Sequence, residues 1–126
     1  MSAGLDWDEH VPDTDPTHGE MRTWRSADRL RTALEPPVVA TPGVIWNYSG
    51  GCTEILGALL HKCTGKPIDE FAREALFEPL RIADVEWARH DNDGPSAPGG
   101  LRMRSRDLAR SASSSRVAAN RTAAGS

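Results

Sequence analysis

Apolar residues recur at helical spacing in the middle of the chain. After Gly50 they fall three or four positions apart, at Cys52, Ile55, Leu56, Leu59, Leu60 and Cys63. This stripe predicts an amphipathic helix whose apolar face is buried. Ser49 is suited to cap the start of the helix, and Gly65 is suited to end it in the left-handed conformation.

Weaker patterns flank this helix. Ser26 is expected to cap a short helix from about Ala27 to Leu34, because prolines follow at 36 and 37. A second amphipathic helix is predicted from Pro67 to about Phe77. A turn is predicted over 41–43, and residues 44–46 after it are predicted to form a short, buried extended segment before Tyr48. Another extended segment is predicted over residues 82–87.

Large apolar residues are few and unevenly distributed. Leu, Ile, Val and Phe make up 22 of the 126 residues, and 19 of these lie between Leu30 and Leu108. This distribution predicts a small core and two chain ends that bury little apolar surface. From Ser111 to Ser126 the only large aliphatic residue is Val117, so this tail is predicted to be disordered. We therefore divide the chain into a partial domain at 1–110 and a tail at 111–126.

The charge pattern excludes some functions. A net charge of −3 and the lack of a basic stripe argue against nucleic-acid binding. No apolar stretch is long enough to span a membrane, and no leader pattern is present, so a cytoplasmic location is the default expectation. The two cysteines are expected to be small core residues rather than a disulfide.

The first twenty residues are rich in potential metal ligands. Carboxylates and imidazoles occur at Asp6, Asp8, Glu9, His10, Asp13, Asp15, His18 and Glu20. Proline and glycine interrupt them, so no helix presents two ligands on one face. Solvated acidic loops are the expected structure, and we expect neither a metal nor another cofactor.

Tyr48 is the candidate catalytic residue. It directly precedes the predicted helix, whose positive end would stabilise a phenolate, and a tyrosine in that state can act as a general base. The alternative is structural: Tyr48 packs over the first helical turn against Thr53 as a hydrophobic staple. Spacing alone leaves both interpretations open and favours the structural one.

Several ordered blocks resemble one enzyme family. They are Ser2-Ala3-Gly4-Leu5-Asp6-Trp7; Pro42-Gly43-x-x-Trp46-x-Tyr48-Ser49-Gly50-Gly51; Leu56-Gly57 with Thr64-Gly65; Phe71-Ala72-Arg73-Glu74 with Phe77-Glu78-Pro79-Leu80; and Gly99-Gly100-Leu101-Arg102 with Ser105-Arg106-Asp107-Leu108-Ala109. Together they resemble serine hydrolases related to class C β-lactamases, penicillin-binding DD-peptidases and esterases. The resemblance covers residues 2–110 and implies that Tyr48 is the catalytic tyrosine of that family.

The resemblance implies a mainly α fragment of an α+β fold, the helical half with irregular loops. In that family, the serine of a Ser-x-x-Lys motif attacks a carbonyl carbon, and a later Lys-Thr-Gly strand frames the substrate. Neither motif occurs here: the only lysines are Lys62 and Lys66, preceded three residues earlier by Leu59 and Cys63. Gly50 also stands where the Tyr-x-Asn element has its asparagine.

The chain is therefore expected to be a partial serine hydrolase that carries the general-base tyrosine but is inactive alone. The complete family enzyme would act on a small-molecule ester or amide. The alternative is a non-catalytic helical interaction module. Association with a complementing chain, or with a second copy of this chain, stays open, because a missing half would leave apolar surface exposed.

Overall fold

The central helix forms where the apolar stripe predicts it. In the computed structural model, which describes residues 1–90 and 94–124, helix α3 spans Gly50–Thr64. The side chain of Ser49 accepts a hydrogen bond from the backbone N–H of Cys52 at 3.1 Å. Gly65 ends the helix with φ of 71°, a left-handed conformation that glycine adopts without strain. Both predicted caps are confirmed.

Two short helices precede α3. Helix α1, Gly19–Arg25, was not predicted, and His18 caps it by accepting a hydrogen bond from the N–H of Met21 at 3.3 Å. Helix α2, Arg29–Leu34, begins later than predicted. Asp28 caps it instead of Ser26, because the Asp28 carboxylate accepts the N–H of Arg31 at 2.9 Å.

The next helix changes its pitch partway along. Helix α4, Ile68–Ala72, continues as a π-helical turn over Arg73–Phe77, so the predicted end at Phe77 is confirmed. Phe77 is buried, and its carbonyl accepts the N–H of the buried Ile82 at 2.8 Å. Both residues also line one cavity, together with residues 85–87.

Two small antiparallel sheets follow. Strand β1, Val85–Trp87, pairs with β4, Leu101–Met103, so the extended segment predicted near residue 85 is confirmed. Strand β2, Arg89–His90, pairs with β3, Gly94–Pro95. The fold class is the predicted one, a partial α+β fold that is mainly helical.

The face that α3 buries differs from the predicted face. Its buried residues are Gly50, Gly51 and Glu54, whereas Leu56 and Leu59 are 62% and 50% exposed. Gly51 admits the Trp7 indole, which a Cβ at this position would meet at 2.5 Å, and a Cβ on Gly50 would meet the Glu9 carboxylate at 3.0 Å. Close backbone approach, and not the apolar stripe, therefore decides how α3 packs among the described residues.

The last helix extends beyond the predicted domain boundary. Helix α5 spans Ser105–Ala124, whereas the sequence predicted disorder from Ser111. Alanine and arginine favour the helical conformation, and neither proline nor glycine interrupts this stretch. The division into a domain at 1–110 and a tail at 111–126 stays a prediction.

Candidate active site

Tyr48 lies at the entrance to α3. It directly precedes the cap residue Ser49, which is only 3% exposed, whereas Tyr48 is 48% exposed. A half-exposed side chain next to a fixed helix start can meet a molecule from solution. Its catalytic role and its packing as a staple on Thr53 both stay predictions.

The N-terminal segment holds the residues on both sides of Tyr48. The backbone N–H of Asn47 donates to the Met1 carbonyl at 2.8 Å, and its side-chain amide donates to the Trp7 carbonyl at 2.5 Å. The N–H of Ser49 donates to the sulfur of Met1 at 3.2 Å. Because these bonds flank Tyr48 on both sides, the backbone at Tyr48 is fixed from a distant part of the sequence.

Glu9 connects the N-terminal segment to the helix. One of its carboxylate oxygens, Oε1, accepts the indole N–H of Trp7 at 2.5 Å and the N–H of Gly50 at 2.7 Å. A negative charge at the first turn of a helix is favourable, since the N-terminal N–H groups carry partial positive charge. Sequence reasoning placed Glu9 in a solvated acidic loop and missed this role.

Trp7 is held between two glycines. It is 5% exposed, and a Cβ on Gly19 or Gly51 would lie within about 2.5 Å of its ring atoms. The backbone N–H of Gly19 also donates to the Asp8 carbonyl at 2.7 Å. The start of α1, the start of α3 and the first nine residues therefore form one packed unit beside Tyr48.

The predicted burial of residues 44–46 is wrong. Val44, Ile45 and Trp46 are 73%, 56% and 68% exposed. The loop containing them is attached to the N-terminal segment through backbone groups, for example from the N–H of Gly43 to the Ser2 carbonyl at 2.7 Å. Backbone attachment leaves these apolar side chains facing outward in the described structure.

A cavity of about 290 Å³, which we call the tyrosine-side cavity, lies near the start of α3, and Tyr48 itself is not part of its wall. Asn47 and Ser49, the neighbours of Tyr48, are part of its wall. Much of the remaining wall is apolar and comes from Leu5, Trp7, Val39, Ile45, Trp46 and Cys52. A mostly apolar wall with a few fixed polar groups is typical of a small-molecule site.

Neither lysine of the chain lies near Tyr48. Lys62 is in the last turn of α3, about 20 Å along the helix axis from its start at 1.5 Å per residue. Lys66 follows the helix and donates to the Glu74 carboxylate at 2.5 Å. This bond raises the pKa of Lys66 and lowers the pKa of Glu74. Both lysines therefore lie toward the far end of α3 from Tyr48.

The structure also locates the acidic residues and the cysteines that the sequence singled out. Residues 1–90 and 94–124 contain no cluster of three His, Cys, Asp or Glu side chains suited to a metal ion. The exposed Asp15 carboxylate accepts the hydroxyl and N–H of Thr17, and these bonds lower its pKa. Cys52 and Cys63 are free thiols. None of the described helices could cross a membrane.

Comparison with known proteins identifies relatives of this chain. The family model described as Beta-lactamase matches residues 1–125. A segment of 58 residues is 34% identical to the ML-236A carboxylate methylbutanoyltransferase mlcH of Penicillium citrinum, covering 46% of this chain and 14% of that protein. A segment of 78 residues is 30% identical to the acyltransferase mokF of Monascus pilosus, covering 56% of this chain and 19% of that protein. The chain thus spans less than a fifth of either relative.

Proposed function

Because the chain belongs to the beta-lactamase family, we propose that Tyr48 is the proton-transfer residue of an acyl-transfer site that a Ser-x-x-Lys segment completes. One observation carries the proposal: a half-exposed phenol at the start of α3, with both neighbouring residues bonded to the N-terminal segment. A general base must be held in place while its reactive atom stays accessible. Bonds to both neighbouring residues and a half-exposed side chain support this role for Tyr48.

The proposed chemistry needs a serine that this chain does not supply in a Ser-x-x-Lys motif. The serine oxygen would bond to the acyl carbon while its proton passes to Tyr48 or to the motif's lysine. The bond from the acyl carbon to the leaving group then breaks, and the leaving group takes up that proton. Water or an alcohol attacks the acyl-enzyme in the second half, and the proton it loses passes through the same base, which restores the serine.

Ser49 is not the missing nucleophile. It is buried, and its hydroxyl is the cap of α3, where it accepts the N–H of Cys52. Loss of a nucleophile removes most of the acceleration of a catalytic unit. We therefore expect this chain alone to be inactive.

The proposed substrate is a small ester or amide whose acyl group is transferred. The names of both relatives describe acyl transfer. The tyrosine-side cavity, whose wall includes both chain neighbours of Tyr48, offers apolar surface for an acyl group. Whether water or an alcohol accepts the acyl group depends on parts of the site outside this chain.

The test uses p-nitrophenyl acetate, an activated ester. The chain is assayed alone, and then mixed with a polypeptide of the family that carries Ser-x-x-Lys and ends before the region matched here. We expect the buffer rate for the chain alone and acceleration in the mixture. In the mixture, Tyr48→Phe should lower the rate by about 10²-fold or more, the scale of lost general-base catalysis.

Leu59→Ala is the control, because Leu59 is as exposed as Tyr48 and does not line the tyrosine-side cavity. It should keep the rate of the mixture. Hydrolysis by the chain alone that disappears in Tyr48→Phe would disprove the proposed inactivity. An active mixture that is insensitive to Tyr48→Phe would disprove the role of the tyrosine.

A second candidate function is a non-catalytic helical interaction module. The exposure of Val38, Val39, Val44, Ile45 and Trp46 favours it, because contiguous apolar surface marks interaction sites. Sedimentation over a range of concentrations separates the two functions. A defined dimer or complex supports the module, whereas polydisperse aggregate supports a partial enzyme domain.

A further inference from the structure

A second cavity, of about 280 Å³, lies on the side of α3 away from Ser49 and Cys52. We propose that this cavity, which we call the hairpin-side cavity, binds a small uncharged molecule that carries a carbonyl oxygen. Its wall combines α2, α3, the start of α4 and both strands of the β2–β3 hairpin. The positions that α3 contributes, 54, 57, 58 and 61, share one helical face, so the site is separate from Tyr48.

The floor of the hairpin-side cavity is made of small residues. Gly57, Ala58 and Ala97 line the cavity, and a Cβ on Gly57 would lie 2.7 Å from the Cβ of Ala97. Leu30 and Ile68 add apolar surface at the sides. Helix α3 and Ala97 are therefore in close contact at this position, and a larger side chain at 57 would force these two parts of the wall apart.

A buried ion pair makes one wall rigid. Arg29 and Glu54 are 4% and 9% exposed, and their N–O distance is 3.1 Å. The Arg29 guanidinium also approaches the carbonyls of Gly94 and Pro95, at 3.4 Å each. The pair thus joins α2, α3 and β3, while its two opposite charges cancel. A rigid wall without net charge favours an uncharged ligand.

Arg89 supplies hydrogen-bond donors to the ligand. It lines the cavity and forms an ion pair with the Asp69 carboxylate. A guanidinium has five N–H groups, and one carboxylate with two oxygens cannot occupy all of them, so donors remain for a carbonyl oxygen. A ligand carboxylate, by contrast, would compete with Asp69 for Arg89 and would face the Asp28 carboxylate in the wall.

The test is a titration of the ¹⁵N-labelled full chain with 2-hexanone, followed by amide chemical shifts. We expect saturable shifts centred on Gly57, Ala58 and Ala97, with a dissociation constant on the order of 1 mM for so small a ligand. Gly57→Leu should abolish saturation. Arg89→Met, which removes the donors, should weaken binding by about tenfold.

Arg102→Met is the matched control, since Arg102 is an exposed, ion-paired arginine that does not line the cavity. It should leave binding unchanged. The proposal is overturned if 2-hexanone gives no saturable shifts, if Arg89→Met binds as the native chain does, or if hexanoate binds as tightly as 2-hexanone. If Gly57→Leu does not fold, Arg89→Met still tests the proposal, because the Arg89 side chain is exposed.

Discussion

Removing the carboxylate of Glu9 should release the start of α3 and the surroundings of Tyr48. In Glu9→Ala, both the indole N–H of Trp7 and the backbone N–H of Gly50 lose their acceptor. Trp7 and Gly50 are buried, so water cannot easily replace the carboxylate. Glu9→Gln keeps an acceptor oxygen at the same position and loses only the charge.

The magnitude follows from the two bonds. A hydrogen bond to a charged group contributes about 1.5–3 kcal/mol, and the lower value suits a carboxylate that is only half-buried. Two such bonds give about 3 kcal/mol, to which the charge at the helix start adds about 0.5 kcal/mol. We expect Glu9→Ala to lower the free energy of unfolding by about 3.5 kcal/mol. Glu9→Gln, which loses the charge, should cost about 1 kcal/mol.

Urea unfolding followed by far-UV circular dichroism measures these differences. Glu35→Ala is the control, because Glu35 makes only an exposed ion pair with Arg31 and its loss should cost less than about 0.5 kcal/mol. The reasoning is refuted if Glu9→Ala is as stable as Glu35→Ala. If Glu9→Gln lowers the free energy of unfolding as much as Glu9→Ala does, the charge of Glu9, and not its hydrogen bonds, stabilises the start of the helix.

Three further predictions concern packing, pH and the tail. Gly51→Ala places a methyl group 2.5 Å from the Trp7 ring and should cost about 1–3 kcal/mol in urea unfolding. Lys66→Gln should raise the pKa of Glu74 toward its ordinary value, as measured by carboxyl ¹³C titration. In the native chain, the Lys66–Glu74 pair stabilises the fold only while both groups are charged. This stabilisation is lost as pH falls through the lowered pKa of Glu74, and as pH rises through the raised pKa of Lys66. Amides after Ser111 should exchange with solvent faster than those of α3, because this part of the sequence has little apolar material to bury.

Each of these predictions has its own control. Gly99→Ala should be nearly neutral, because a Cβ there meets nothing within 4 Å, and equal losses at 51 and 99 would contradict the packing argument. Lys62→Gln should leave the titration of Glu74 unchanged. Protection after Ser111 that equals the protection of α3 would show that the tail belongs to the folded domain.

Local signals were enough to predict several elements. The caps at Ser49 and Gly65 and the end at Phe77 were found because each depends on residues within one or two helical turns. The family blocks, which are also local in sequence, gave the mainly α fold class. The caps at His18 and Asp28 were missed because histidine rarely caps a helix, and because Ser26 offered an equally good local signal.

Packing could not be read from the pattern. The apolar stripe of α3 predicted that Leu56 and Leu59 are buried, but the helix packs through Gly50, Gly51 and Glu54. Which face a helix buries depends on the elements that reach it, and here these are the indole of Trp7 and the guanidinium of Arg29. Both partners lie more than twenty residues away in sequence, so no local window contains the information.

The bond from Glu9 to Gly50 has a consequence for the order in which the chain folds. It joins residues that are 41 positions apart, and the length-dependent entropy of closing such a loop costs about 3 kcal/mol. Helix α3 can form early from its own sequence, but the backbone around Tyr48 takes its final shape only after that loop closes. Residues 1–9 and 47–51 should therefore open together and protect one another's amides from exchange, as a single cooperative unit that is the last to assemble.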